Sequence, residues 1–474
     1  MTRFEVIFVA TPAVGNLVPA VEFANLLTKH DPRFSSTFLI ITMPQRPLVN
    51  TYIQSRPSTN NLRFLHLPLV DLPTPDQYQS SVAFISLFIQ KHKSHIKDAI
   101  LNLIPSDSES HPHSARLAGL FVDMFSTTII DVAAELGIPS YLFFASPASF
   151  LGFALHLPQL ATESLHSETE FAVPSFKNPL PRTVLPNLIL KERDGYSWIV
   201  YHAKRYSETE GIVINTVQEL EPHALESLSS PNHIPIPSVY PIGPVLDLDG
   251  PSRWDPNPAQ YDRIMNWLDQ QPVSSVVFLC FGSLGSLSED QVREIAIGLE
   301  RAEVRFLWAL REPPKAQLQD PTDYKNPENV LPDGFLKRTA KMGLVCGWVP
   351  QVKILAHTAI GGFVSHCGWN SIMESLWYGV PIATWPIYAE QQMNAFEMVK
   401  ELGLALEIRL DYRGGCDLVY ADAVEVAIKR LMNGCDEIGR KVKEMGEKCQ
   451  SALMENGSSY KSLVSLVEKL TSST

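Results

Sequence analysis

The chain has little charge for its length, no basic excess and no long apolar run. Charged residues make up 19% of its 474 positions, and the formal net charge is −12. That balance excludes the cationic face needed to bind nucleic acid or an anionic membrane surface. Met1 to Ala10 is apolar but carries Arg3 and Glu5, and the following stretch is broken by Pro12, Gly15, Pro19 and Glu22. Neither a secretory signal nor a membrane span fits this pattern. Cysteine is sparse. Cys280, Cys346, Cys367, Cys416, Cys435 and Cys449 all fall in the second half, with no C-x-x-C pair. They read as reduced thiols of a cytoplasmic protein. The 13 histidines are scattered, and His92 with His95 and His111 with His113 are local pairs lacking further ligands. No metal is expected. Without a secretory signal, Asn456-Gly457-Ser458 is a chance match to a glycosylation acceptor. A G-x-G-x-x-G fingerprint is absent, which argues against a nicotinamide cofactor.

Apolar residues reach 45%, enough for sizeable cores, and the length suits two large α/β domains. Phe4–Ala10 predicts a first strand, and Thr11–Gly15 a turn. Asn16 then begins a helix toward His30, as its N-cap, with Pro19 in the first turn. Ala118–Asp123 reads as a buried strand ending in an acid, followed by a helix from Ser126 to Leu136. Tyr141–Leu151 reads as a strand followed by a turn at Ser146-Pro147, and 172–186 as a proline-rich loop. Ile212–Thr216 is the expected last strand of the first domain. A linker begins at Tyr240-Pro241, and the boundary falls at 245/246. The second domain opens with a helix near Tyr261–Gln270 and the strand Ser275–Cys280. Phe281-Gly282-Ser283 then leads into a helix near Glu289–Ala302. Further strands are expected at Phe306–Leu310 and Gly343–Cys346. The charged, proline-bearing segment Glu312 to Asn329 reads as a mobile loop. Helices near Ala421–Met432 and Asp436–Glu455 precede a last amphipathic segment, Ser459–Leu470.

The densest stretch is Trp348 to Gln391, WVPQVKILAHTAIGGFVSHCGWNSIMESLWYGVPIATWPIYAEQ. Gly362–Ser365 predicts a buried strand, and Ser371–Trp377 a helix closed by Gly379. Between them, His366-Cys367-Gly368-Trp369-Asn370 is a strand-to-helix turn. Open helix-start N–H groups and the helix dipole favour an anion there, and His366, Asn370 and Ser371 add side-chain donors. Glu390 and Gln391 open a further helix after the strand Val380–Thr384. In open α/β sheets, ligands bind at the carboxyl ends of strands. Structural readings coexist: Ser371 and Glu374 have capping-box spacing, Trp377 and Trp385 suit a core, and His366 alone suits a buried structural histidine.

As an ordered set the stretch resembles the signature box of the plant uridine-diphosphate-dependent glycosyltransferases. The pattern runs W-x-P-Q, H-x-x-x-G-x-F-x-x-H-C-G-W-N-S-x-x-E, G-V-P, W-P-x-x-x-E-Q. The resemblance implies an α/β fold of two facing, doubly wound Rossmann-like domains (GT-B) with a cleft between them. It also implies a division at 1–245, 246–458 and 459–474, the last helix crossing back to the first domain. It implies that Trp348 stacks on uracil while the Val349 backbone reads its edge. Gln351 and Glu374 would bind ribose. His366, Asn370, Ser371 and Ser283 would hold the diphosphate, and Trp369, Glu390 and Gln391 the sugar. Gln391 looks like the glucose-preferring form. The donor is a substrate, so no cofactor is implied, and the partners are a nucleotide sugar and a small acceptor, bound by a monomer.

The resemblance also places a catalytic histidine where this chain has Asn16. Asn cannot take a proton usefully, whereas imidazole is suited to it. Asp123 would be the carboxylate that orients the base. With Asn16 it is left to accept an amide hydrogen bond, to act on the acceptor directly or through water, or simply to cap. The expected activity is inverting transfer of glucose to a hydroxyl, or a ring carbon, of a flavonoid, other phenolic or terpenoid. The alternative is a UDP-sugar-binding protein with little or no catalysis. Phe84, Phe88, Phe143, Phe144, Ser146, Phe150 and Trp198 are candidates for an apolar acceptor wall, with plain core as the competing reading.

Overall fold

The computed structural model describes residues 2–56, 58–103, 115–160, 167–190, 193–230, 235–248, 257–315, 319–413, 417–433 and 436–472. His111, His113, Cys416, Cys435 and most of the Leu246–Asn257 linker lie outside the described residues. The chain forms two compact units: Met1–Pro179, Asn187–Val245 and Ser451–Thr474 in one, Leu180–Pro186 and Leu246–Gln450 in the other. The segment Leu180–Pro186 thus leaves the first domain. Arg413 Nη2 donates to the Thr183 and Leu185 carbonyls, both at 2.7 Å, and fastens it to the second unit.

The first unit is built on seven strands: β1 (Phe4–Val9), β2 (Phe34–Ile40), β3 (Leu62–His66), β4 (Arg116–Val122), β5 (Ser140–Phe144), β6 (Ile212–Ile214) and β7 (Val239–Pro241). They lie in the order β3-β2-β1-β4-β5-β6-β7, every neighbouring pair parallel. Tyr240-Pro241, expected in the linker, is the edge strand β7, where a proline's missing N–H leaves no ladder bond unmade. All six residues of β1 are buried, as a parallel strand covered on both faces requires. Phe64, Phe38, Phe8, Phe121 and Tyr141 form one row of rings across five strands, with centroids 4.5 to 5.7 Å apart.

Four helices of this unit bear on function: α1 (Val14–His30), α2 (Ser81–Gln90), α3 (Ala148–His156) and α4 (Arg193–Tyr206). On α1, Phe23 meets Phe8 and Phe121 edge-on and stacks on Phe143. The last helix, Ser458–Ser472, buries Leu463, Leu466, Val467 and Leu470 against this same unit. Lys469 pairs with Glu210 at 2.9 Å, and Ser459 Oγ donates to the Gly243 carbonyl at 2.5 Å.

The second unit repeats the plan. Strands β8 (Val276–Cys280), β9 (Arg305–Ala309), β10 (Gly343–Cys346), β11 (Ile360–Ser365), β12 (Ile382–Thr384) and β13 (Ala405–Glu407) run parallel in the order β10-β9-β8-β11-β12-β13. The strand order reverses between β8 and β11, which makes their carboxyl ends the switch point of the sheet. Helices α5 (Glu289–Ala302), α6 (Gln351–Leu355), α7 (Trp369–Trp377) and α8 (Gln391–Phe396) follow β8, β10, β11 and β12. The segment 312–329 is not a featureless loop. Arg311–Glu312 pairs antiparallel with Thr322–Asp323, and Pro327–Asn329 is a 3₁₀ turn.

Candidate active site

Every candidate donor residue lies just beyond a strand's carboxyl end in the second unit. Ser283 follows β8, Trp348, Val349 and Gln351 follow β10, His366 to Glu374 follow β11, and Glu390 and Gln391 follow β12. Ser283 is not at a helix start: α5 begins at Glu289, capped by Ser288, whose Oγ accepts from Gln291 N at 3.3 Å.

His366 occupies the switch point. Its ring is wedged between Gly282 and Gly368, where an added Cβ would stand 2.5 Å from Nε2 at either position. Burial holds the imidazole down to about 4, so it is neutral at physiological pH. Its Nδ1 is buried without a hydrogen-bond partner among the described residues. The next residue, Cys367, has φ +63°, a strained conformation for a side chain. Asn394 Nδ2 donates to the Cys367 carbonyl at 3.0 Å and holds the turn.

Helix α7 starts two residues earlier than expected, at Trp369 with Gly368 as N-cap, and its first helical bond is Ile372 N to Gly368 O, 3.1 Å. Ser371 is therefore inside the helix, and the capping-box reading fails. Gln351 Nε2 instead donates to both Ser371 Oγ (2.8 Å) and Glu374 Oε2 (2.6 Å). Glu374 is partly buried, and its carboxyl is pushed up to about 7. Burial is the main cause, with Asp247 adding and Gln351 opposing. The helix closes on Gly379 (φ +67°): Gly379 N bonds Leu376 O, and Val380 N bonds Ser375 O. Trp385 is fully buried core and Trp377 partly buried.

Gln391 is 3% exposed, and its Oε1 accepts from Ile387 N (2.9 Å) and Tyr388 N (3.0 Å). Two N–H donors fix the amide orientation and leave Nε2 for a ligand. Glu390 is the N-cap residue of α8. Trp348 is partly exposed. Its N–H donates to Asp323 Oδ1 at 2.9 Å, and its carbonyl accepts from Gln260 Nε2 at 2.7 Å. The Val349 N–H and carbonyl carry no hydrogen bond among the described residues, so one donor and one acceptor remain side by side.

In the first unit the arrangement differs from expectation. Helix α1 begins at Val14 after Ala13, so Asn16 is its third residue rather than its cap, and Pro19 lies in the interior. The Asn16 carboxamide makes no hydrogen bond among the described residues. Asp123 is 5% exposed and engaged elsewhere. Oδ2 accepts from Thr11 N (2.6 Å), while Oδ1 accepts from Thr11 Oγ1 (3.0 Å), Phe125 N (3.1 Å) and Ser126 N (3.0 Å). Burial raises its carboxyl, against these hydrogen bonds. The amide contact between Asn16 and Asp123 is not formed; Thr11 takes its place.

The expected aromatic wall divides. Phe143 and Phe144 are successive strand residues on opposite faces, Phe143 stacked on Phe23 and Phe144 against Tyr206 and Phe150. Phe88, Phe143 and Phe144 are 1%, 2% and 0% exposed, and Phe84, also buried, packs on Tyr78 and Phe88. These four are core. Ser146 and Phe150 are buried at the start of α3, and Trp198 on α4 is partly exposed. Trp198 lies against His202, whose ring bonds Ser86 Oγ (2.7 Å) and Thr127 Oγ1 (2.6 Å). Burial, with the Arg205 charge, holds His202 down to about 3, a neutral structural residue.

A family model described as UDP-glucoronosyl and UDP-glucosyl transferase matches residues 239–434. UDP-glycosyltransferase 43 of Pueraria montana var. lobata is 66% identical over the full length of both chains. The chain belongs to the plant UDP-glycosyltransferases. The UDP-glucose flavonoid 3-O-glucosyltransferase 6 of Fragaria ananassa is 46% identical, covering 99% of each chain. Among solved structures, Medicago truncatula UGT71G1 complexed with UDP-glucose superposes with a TM-score of 0.89 at 40% identity, covering 99% of this chain and 98% of that one. The two Rossmann-like units are those of a GT-B transferase, and the family's chemistry is glycosyl transfer from a UDP-sugar to a small acceptor. Thr11, Gln260 and Asp323 hold candidate site residues and carry no sequence signal, since their partners lie 112, 88 and 25 positions away.

Proposed function

We propose that this UDP-glycosyltransferase moves glucose from UDP-glucose to an ionisable hydroxyl of a small aromatic acceptor, by one in-line displacement with inversion. The observation that carries the reading is the set gathered at the ends of β8, β10, β11 and β12. Trp348 and Val349 suit the base, Gln351 and Glu374 the ribose, and Glu390, Gln391 and Trp369 the sugar. At the diphosphate, neutral His366 offers an N–H, joined by Ser283, Asn370, Ser371 and the start of α7. The acceptor oxygen, its proton already lost to solvent by ionisation, bonds the anomeric carbon as the bond to the diphosphate oxygen breaks, and UDP takes the electron pair. This set meets the leaving charge, so the reading needs neither a metal nor a resident cofactor. The reading also takes the protein as a cytoplasmic monomer. No described helix is long and apolar enough to cross a membrane.

Asn16 and Asp123 refine the acceptor class. Asn16 is no base, and Asp123 is saturated by Thr11 and its own turn, which suits holding that turn and not proton abstraction from the acceptor. Acceptors that ionise by themselves, such as phenols, need least help. The Fragaria ananassa relative, named a flavonoid glucosyltransferase, agrees with that class.

The test measures glucoside formation by mass spectrometry from UDP-glucose and a graded series of phenols and alcohols, for this sequence beside Asn16→His. Phenol glucosylation by both, with the variant gaining most on alcohols, is expected; general-base help is worth about 10² to 10⁴-fold. Donor binding without product from either protein would overturn the proposal.

A further inference from the structure

Both peptide groups flanking Trp348 are pinned by side chains that belong to neither the signature stretch nor its strand. Gln260, on the helix Pro258–Leu268, contributes both ends of its amide. Its Oε1 accepts from Gly347 N at 3.3 Å and its Nε2 donates to the Trp348 carbonyl at 2.7 Å. Asp323 Oδ1 takes the Trp348 N–H at 2.9 Å. Asp323 is itself held by Arg311, which is 8% exposed, through a 3.0 Å ion pair between Nε and Oδ1, and the Arg311–Glu312/Thr322–Asp323 ribbon sets its height. Gly347 makes room: a Cβ there would lie 2.1 Å from Asp323 Oδ2.

The consequence follows from peptide geometry. In a trans peptide the carbonyl and the N–H of the next residue point in opposite directions. Gln260, by holding the Trp348 carbonyl, therefore aims the Val349 N–H to the opposite side. Asp323 fixes the preceding peptide plane and with it the Cα from which the indole projects. The ring that stacks and the groups that read a base edge thus share one clamp.

We propose that Gln260 and Asp323 are positioning residues for the nucleotide base, orienting Trp348 for stacking and the Val349 main chain for edge recognition, and so set the preference for uracil. This rests on the reading of Trp348 and Val349 as the base site. Neither side chain need touch the donor. Pre-organisation of this kind acts on donor binding and base choice and leaves the chemical step alone.

The test compares Gln260→Ala, Asp323→Ala, Asp323→Asn and Trp348→Ala. For each, donor KM and kcat are measured with UDP-glucose, the rate ratio with UDP-glucose against ADP-glucose and CDP-glucose, and the unfolding midpoint. Loss of each alanine site's contacts should raise donor KM roughly tenfold, leave kcat within about twofold and shrink the UDP preference. Asp323→Asn keeps an acceptor for the Trp348 N–H and should recover most of the loss. A raised KM for Trp348→Ala with no change for Gln260→Ala or Asp323→Ala would sink the clamp and spare the base site. No change for Trp348→Ala would remove the base site itself. Equal losses in KM, kcat and unfolding midpoint, without recovery in Asp323→Asn, would reduce both residues to structural supports and overturn the inference.

Discussion

His366 and Glu374 show how one residue's surroundings set its chemistry. A neutral imidazole can donate one N–H without carrying a buried charge, and the two glycines beside it exist to admit the ring. Gly282→Ala would drive a Cβ into Nε2, at a backbone φ of +78° that also strains any side chain. The expected result is a fall in kcat of about 10²-fold, the usual cost of losing one preorganised donor. Steady-state rates with saturating donor check it. Glu374 titrates in the working range. Its folded value, about 7, lies above the ordinary carboxylate value of 4.5. Its contribution to stability is therefore fully present below the ordinary value and lost as pH rises through about 7. Ribose hydroxyls favour the ionised acceptor, so donor KM should fall as pH rises across that value. Glu374→Gln should flatten the profile, and an unchanged slope in that variant would refute the assignment. At this scale the sequence exposed residues that share one strand-end turn and the helix after it, His366, Asn370, Ser371 and Glu374. It hid Thr11, Gln260 and Asp323, because a hydrogen bond between distant segments leaves no local pattern. It also misplaced Asn16, whose N-cap preference lost to a helix already begun at Val14.

Elements were legible where burial is two-sided. β1, β4, β8 and β11 read as strands because parallel strands covered by helices are continuous apolar runs. Tyr240-Pro241 did not, since an edge strand with proline looks like a linker. The ribbon that carries Asp323 did not either: its strands are two residues long and polar, and their order comes from Arg311 and Trp348. The row of rings through Phe8 implies a measurable cost. Phe8 is 2% exposed and meets rings from β2, β4 and α1. Phe8→Ala should destabilise the first unit by about 3–5 kcal/mol. Leu466 in the last helix is fully buried, and Leu466→Ala should cost about 2–5 kcal/mol. Chemical denaturation of each variant checks both values, and a loss under 1 kcal/mol at Leu466 would mean that helix is only loosely docked.

The candidate residues divide between units: those proposed to bind the donor all belong to the second, Asn16 and Asp123 to the first. A ligand that binds only the folded second unit stabilises it by mass action, about 2.7 kcal/mol at a hundredfold excess over Kd. UDP should therefore protect sites in 257–433 from limited proteolysis more than sites in 2–103. Equal protection of both stretches would contradict a donor site built from the second unit alone. By itself the sequence determined the family, the α/β class and the candidates for the donor site. Those rest on turns and strand ends, where chemistry and local backbone geometry are written in adjacent residues. Only the tertiary structure decided what Asp123 holds, which aromatics are core, where Leu180–Pro186 belongs and what steadies Trp348. Each of these is settled by a contact between segments far apart in the chain, and such contacts exist only once the sheets have assembled.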